Sequence, residues 1–473
     1  MFLKPLAQNF NAMLKKFFLI ICGSFVGSFI AIMVAMLCVL MLGVSISLSG
    51  RGTATVKSHS ILKIDMSGAV EERSEEVSSV NELIAILQGS EKGASLQDIE
   101  RSLSVAMLDD NIDGVVLNCN GVQAAPATLR AIRKAIVNFK KSKKWVYAYG
   151  NMGFDQGDYY VATAADSIFI NPVGAVDVHG MASCTPYFKK VLDNIGVEMQ
   201  VIRVGAYKSA VEPYMLDAMS PENREQQQLY LGNIWGVIEN EMADARKIDR
   251  GAFNQYVDSI LLVQPADTLI KRHLVDAKIY RPEFENRLRK LTNVKETDDL
   301  NFVSPQMLAT NYDAGENKDG VIAVVYACGE IDGGTPGEGI DSEQLVDCIG
   351  KLQRNDDVKA LVLRVNSPGG SAFGSEQIWH ALENFKKAGK TFAVSMGDYA
   401  ASGGYYISCG ADRIFADSTT ITGSIGIFGV IPCAQDLVEN KIGVNVEVVK
   451  TNENADLLAM GVLSKRLTPA QRQ

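Results

Sequence analysis

The sequence predicts an α/β protein: two tandem copies of one parallel-sheet domain behind an N-terminal membrane anchor. Three observations carry this expectation. An uncharged apolar run lies near the N-terminus, the two halves of the chain resemble each other, and strand-like and helix-like segments alternate within each half. The 473 residues suffice for two or three domains, and 47 % apolar content suffices for a large core. A net charge of −9 argues against general nucleic-acid binding. Eight cysteines without a C-x-x-C pair, and four histidines without ligand spacing, indicate neither a disulfide framework nor a metal site. No cofactor is expected.

The anchor comes first. Residues 17–44 read FFLIICGSFVGSFIAIMVAMLCVLMLGV, without a charge. A spanning helix needs about 20 apolar residues, whereas the apolar core of a cleaved signal needs only about 7–15. Lys4, Lys15 and Lys16 precede the run, which keeps residues 1–16 cytoplasmic, makes 17–48 the span, and sends everything after about Gly50 across the membrane.

The repeat follows. SILKIDMSGAV (60–70) matches VIAVVYACGEI (321–331), NIDGVVLNCNG (111–121) matches DVKALVLRVNS (357–367), and VNFKKSKKWVYAYG (137–150) matches ENFKKAGKTFAVSMG (383–397). DYYVATAADSIFIN (158–171) matches GYYISCGADRIFAD (404–417), and LDNIGVEMQVIRV (192–204) matches VENKIGVNVEVVK (438–450). The copies are expected at 55–310 and 321–473, joined by the polar, turn-rich linker 311–320. The first copy continues after LDAMSPENREQQQLY through HLVDAKIY, whereas the second stops at SKRLTPAQRQ, so a further C-terminal segment of the second copy is expected. Within the second copy, 359–367 reads as a strand, 374–390 as an amphipathic helix ending near Gly389, and 391–397 as the next strand. Residues 402–411 suit a short buried helix, and DRIFAD a returning strand. Repeated β-α-β units imply parallel pairing.

Three stretches could carry chemistry. NSPGGS (366–371) follows a strand, and its glycines expose backbone N–H groups that could face an oxyanion; an ordinary β-turn reads the same way. The matching NCNGVQ (118–123) lacks the proline and one glycine. Ser402 opens the short helix after a turn. Either it caps that helix, or it is displayed for chemistry with Gly403 and Gly404 letting a substrate backbone approach. Gln156, its counterpart, is no nucleophile. A serine nucleophile needs a base. His380 lies mid-helix, His179 sits in the copy without the serine, His59 is near the anchor, and His273 lies at a helix-to-strand junction. A lysine base must fall from about 10.4 to near 7–8, roughly 4 kcal/mol, which desolvation can supply. Lys208 in VGAYKSAVEP has such apolar, small-residue surroundings, while the lysines at 140–144 and 386–390 lie in polar clusters. Its counterpart is about Ala455. One copy therefore holds the lysine and the other the serine, and packing the two together would complete a Ser–Lys dyad.

VNSPGG, GDYAASGGYYIS, ITGSIGIFG and GAYKSAVEP together resemble the signal peptide peptidase A family, in its long, double-domain, membrane-anchored form of the protease IV type. The resemblance implies Ser402 as nucleophile, Lys208 as general base, oxyanion donors from Gly369 or Gly370 with Gly403, and Ser424 as a hydroxyl that aims the lysine. A strand-end serine satisfying backbone is the alternative for Ser424. The resemblance also implies the ββα superhelix shared by Clp protease and crotonases, a homotetramer, and a periplasmic site on a bacterial inner membrane. Its substrates would be signal peptides and other apolar peptides, cut by acyl-enzyme chemistry without metal or nucleotide. An acyl-CoA hydratase or thioesterase on the same fold, or a membrane-tethered scaffold without activity, are the rival readings.

Overall fold

The computed structural model describes residues 27–34, 36, 55–74, 93–313, 315, 319–334, 339–456 and 465–471. Of the span expected over 17–48, only residues 27–34 and 36 fall among these, and they are helical. Among the described residues no helix is long and apolar enough to cross a membrane. The expected linker 311–320 also lies partly outside them.

Two parallel sheets organise the chain. The first has the order β8-β5-β3-β2-β1-β9, formed by Ala277–Lys278 (β8), Ser167–Ile170 (β5), Trp145–Gly150 (β3), Ile112–Gln123 (β2), Ser60–Ala69 (β1) and Phe302–Val303 (β9). The second has the order β10-β11-β12-β13, formed by Val321–Cys328, Val358–Ser367, Thr391–Ala401 and Arg413–Phe415, with β14 (Ile421–Gly423) also on β12. Parallel neighbours need crossovers, and helices supply them. In the first half these are α1 (Leu96–Leu108), α2 (Pro126–Phe139) and α3 (Gln156–Ala162), followed by the long α4 (Pro221–Arg246). In the second half they are α5 (Ser342–Arg354), α6 (Ala372–Lys387) and α7 (Gly403–Ser408). Local chemistry starts these helices where it should. Ser95 and Asp98 form a capping box on α1, and Asp341 and Ser371 cap α5 and α6. Short strands Gly153–Phe154 (β4) and Ala175–Val176 (β6) pair with each other. The sheets bury separate cores. Leu62, Leu117, Val146 and Ile168 belong to one, and Leu361, Leu363, Val394 and Ile378 to the other.

One ribbon joins the halves. Glu198–Arg203 (β7) from the first pairs antiparallel with Phe428–Cys433 (β15) from the second. A second feature departs from expectation. β12 does not end at Gly397 but continues to Ala401. Val365 faces Met396 and Ser367 faces Ala400, so two steps on β11 match four on β12. The Gly-Asp pair that reads as a turn is a bulge, and β14 keeps the strand extended beyond it by pairing with Tyr399–Ala401.

Candidate active site

Ser402 is the residue on which β12 ends and α7 begins. Its backbone has φ 53° and ψ −115°, a left-handed conformation uncommon for a residue with a side chain. Its N–H donates to the Gly423 carbonyl at 2.8 Å, and its carbonyl accepts from Tyr406 N at 2.9 Å. The hydroxyl makes no capping bond to α7. Of the two readings of this serine, the cap is not what the fold uses.

The glycines beside it have a different cause from the one expected. A Cβ on Gly403 would stand 2.5 Å from Ser375 Oγ and 3.1 Å from Ile331 Cδ1, and one on Gly404 would stand 2.7 Å from the Ser367 carbonyl. A side chain at either position would collide with the protein itself, where α7 packs against α6 and the end of β11. Gly369 is similarly tight: a Cβ there would lie 2.7 Å from Gly403 N and 2.8 Å from Ser402 Cβ. It and Gly370 both have positive φ, +105° and +147°. Their amides differ. Gly369 N–H donates to Ser367 Oγ at 3.1 Å, while Gly370 meets Ile331 in a bridge formed by its neighbours' groups: Ile331 N donates to Gly369 O, and Ser371 N to Ile331 O. The Gly369 N–H, one of two alternative oxyanion donors in the sequence reading, is thus already engaged.

Lys208 lies five residues beyond β7, at the start of a single 3-10 turn, Ser209–Val211. It is only 7 % exposed, although Ala206 and Tyr207 before it are exposed. Its Nζ donates to the Ser424 carbonyl at 2.7 Å and lies 3.1 Å from Ser424 Oγ and 3.3 Å from Ser402 Oγ. Burial holds its pKa below the ordinary lysine range. Ser424, at φ 51°, turns both its carbonyl and its hydroxyl toward the amine. The structure therefore brings Lys208, Ser402 and Ser424 together across the two halves, with Gly369 and Gly403 packed against Ser402.

The supports of this lysine were not singled out from the sequence. Arg203 Nη1 donates to the Lys208 carbonyl at 3.4 Å and lies 3.6 Å from Glu212. Glu212 is fully buried and accepts from Ser220 Oγ at 2.5 Å, Ser220 N at 3.2 Å and Asn223 Nδ2 at 3.0 Å. Burial would raise this carboxyl, but the bonds from Ser220 and Asn223 and the Arg203 charge hold it below the usual range. The only signal was an acidic residue, Glu212, directly before Pro213.

The corresponding place in the first half is closed. Gln156 Oε1 accepts from His179 N and Gly180 N at 3.1 and 2.9 Å. The carboxylate of buried Asp158 accepts from Gly121 N and Val122 N, at 2.7 and 3.3 Å, in the segment matching NSPGGS. Desolvation pushes Asp158 up to about 7. His59 and His179 pair with Asp113 and Asp177, and His380 is exposed on α6. Among the described residues no cluster of three or more His, Cys, Asp or Glu side chains is placed to hold a metal ion.

The fold is mixed α/β, and the chain belongs to peptidase family S49, whose family profile matches residues 138–295 and 384–473. It is a serine peptidase. The chain is 36 % identical over 441 residues to Protease 4 of Haemophilus influenzae, covering 89 % of this chain and 70 % of that one. It is 38 % identical over 389 residues to Protease 4 of Salmonella typhi, covering 80 % of this chain and 62 % of that one. It is 28 % identical over 389 residues to the chloroplastic serine protease SPPA of Arabidopsis thaliana, of which it spans 56 %.

Proposed function

We propose that Ser402 is the nucleophile and Lys208 the general base of a peptidase dyad shared between two tandem copies, 55–310 and 321–473. The observation that carries the reading is the 3.3 Å separation of Lys208 Nζ from Ser402 Oγ, with the amine buried. A buried amine whose pKa burial has lowered is neutral for a larger share of the time and can take a hydroxyl proton. Ser402 Oγ then attacks the peptide carbonyl, and the amides of Gly370 and Gly403 face the oxyanion. Lys208 returns the proton to the leaving amine, and water, activated by the same amine, hydrolyses the acyl-enzyme. Ser424 holds the amine on line with two oxygens.

The substrates proposed are apolar peptides, cleaved signal peptides among them. Val204, Tyr207, Ile425 and Ile427 flank Lys208 and Ser424 with exposed apolar surface, which favours this class. An N-terminal anchor, resting on the uncharged apolar run 17–44, completes the proposal together with the Clp-like superhelix, a site at the outer face of a bacterial inner membrane and assembly as a homotetramer, these three resting on family resemblance. A fluorophosphonate probe tests the chemistry on the full-length protein. Labelling is expected at Ser402 and lost in Ser402→Ala. Peptide hydrolysis is expected to fall about 10²–10⁴-fold in Lys208→Ala. Labelling elsewhere, or full activity without Lys208, overturns the reading.

A further inference from the structure

Four residues upstream of Ser402 lies the bulge in β12, and one of the residues that hold it comes from the other half of the molecule. Gly397, Asp398 and Tyr399 lie opposite the single residue Asn366, so β12 outruns β11 by two residues there. Bulges beside active sites re-aim the side chains that follow them. This one is tied from both halves, and within its own half Asn366 Nδ2 also donates to the Asp398 carboxylate at 3.5 Å. Thr420 Oγ1 donates to the Gly397 carbonyl at 2.8 Å, and Tyr399 N donates to Asn366 Oδ1 at 3.1 Å; both partners belong to the second half. Another tie crosses the seam. The Asp398 carboxylate, 8 % exposed, accepts from Thr128 N at 2.8 Å and Thr128 Oγ1 at 2.6 Å.

Thr128 stands in the first turn of α2. Ala125, at the N-cap of that helix, supplies no side-chain bond, so Asp398 takes the place of a cap from 270 residues away. The neighbouring strand is tied in the same way. Glu72 accepts from Arg364 Nε and Nη2 at 3.0 and 2.9 Å and from Asn366 Nδ2 at 3.1 Å, just ahead of the 367–371 turn. Parallel strands alone do not require Asp398. The residue matching it in the first half is Met152, which is 86 % exposed.

We propose that Asp398 is a positioning residue: by binding Thr128 across the seam it fixes the 397–399 bulge, and with it the place of Ser402 relative to Lys208. The inference rests on the Ser402–Lys208 reading. The first half then supplies not only the base but also the anchor that aligns the nucleophile against it.

The test uses the full-length protein, with Ser402 labelling by a fluorophosphonate and steady-state peptide hydrolysis, both corrected for the folded fraction. Misplacement of reacting groups by about 1 Å costs on the order of 10²-fold. Asp398→Ala is therefore expected to lower the labelling rate and kcat by about 10–100-fold, with KM within about twofold of wild type. Asp398→Asn keeps one acceptor and is expected to restore most of the rate. Thr128→Val removes only the hydroxyl, and is expected to cost less on its own and nothing further when added to Asp398→Ala. Wild-type rates in folded Asp398→Ala overturn the proposal, as do additive effects of the two substitutions or a failure of Asp398→Asn to recover. If the wild-type protein itself is not labelled at Ser402, the dyad reading falls, and this inference falls with it.

Discussion

At the scale of single residues, the two side chains of the proposed dyad sit in unfavourable places. Ser402 holds a left-handed backbone, and Lys208 is buried with no carboxylate among its hydrogen-bond partners. Both facts lead to measurements. Desolvation lowers the Lys208 pKa, so peptide hydrolysis is expected to rise with pH and level off before the ordinary lysine value, near 10.5. A profile still climbing through pH 11 contradicts it. The same shift has a sign in stability. Between the folded and unfolded values the unfolded chain binds more protons, so stability rises with pH across that window. Lys208→Met is expected to flatten this slope in urea melts taken between pH 7 and 10. The glycines allow a separate test. Gly403→Ala places a methyl within 2.5 Å of Ser375 Oγ, and is expected to cost about 1–3 kcal/mol with loss of labelling. Ser375→Ala removes the clashing atom and is expected to return part of both. Were the glycine there to admit substrate, Ser375→Ala would restore nothing.

At the scale of elements, the β7–β15 ribbon decides whether Lys208 can meet its partners. β7 ends five residues before Lys208 and β15 begins four after Ser424, so their register fixes the distance between the two loops. Val201 and Val430 are register partners in the middle of it. Two glutamates there would repel, whereas Val201→Lys with Val430→Glu would attract, each by about 0.2–1 kcal/mol. The first pair is expected to lower kcat more than the second, as a double-mutant cycle on hydrolysis would show. Much at this scale was legible in the sequence. The apolar run in 359–367 and the helical spacing of apolar residues in 374–390, with Gly389 near its end, announce β11 and α6, and the counterpart strands and helices follow by repetition. The bulge was not legible, because Gly397-Asp398 carries turn chemistry, and it is pairing with Ser367 and the distant Ile421–Gly423 that keeps the chain extended beyond it. Nor was the crowding around Gly403, since a glycine that avoids a neighbour reads the same as one that admits a ligand.

At the scale of the whole molecule, the proposed dyad exists only while the seam between the halves holds, and polar pairs such as Thr128–Asp398 and Glu72–Arg364 cross that seam. Internal duplication exposed a lysine in one half and a serine in the other, so that packing the two halves together would complete a dyad. It could not show how, because partners such as Thr128 and Asp398 are 270 residues apart and carry no local pattern. Arg130 on α2 is the most connected of these partners. It donates to Glu241 on α4, and from the second half to Asp417 at 2.8 and 2.9 Å and to Ser418 at 2.8 Å. Burial alone would raise the Asp417 carboxyl, but Lys134 and Arg130 hold it well below the usual carboxylate range; Glu241 is lowered likewise by Arg130 and Tyr160. For carboxyls depressed in the folded state, the stabilisation is complete above the unfolded values, near 4, and drains away as pH falls through the folded ones. Arg130→Ala removes the shared cation. It is expected to cost about 2 kcal/mol at pH 7, as hydrogen bonds to charged groups do, and progressively less toward pH 3. Chemical melts followed by circular dichroism at pH 7, 5 and 3 measure that difference, and a cost independent of pH would show that the seam does not rest on this cluster. Because Lys208 and Ser402 come from opposite sides of it, labelling of Ser402 is expected to fail in the variant at lower denaturant than the helical signal, the halves parting before either sheet unfolds.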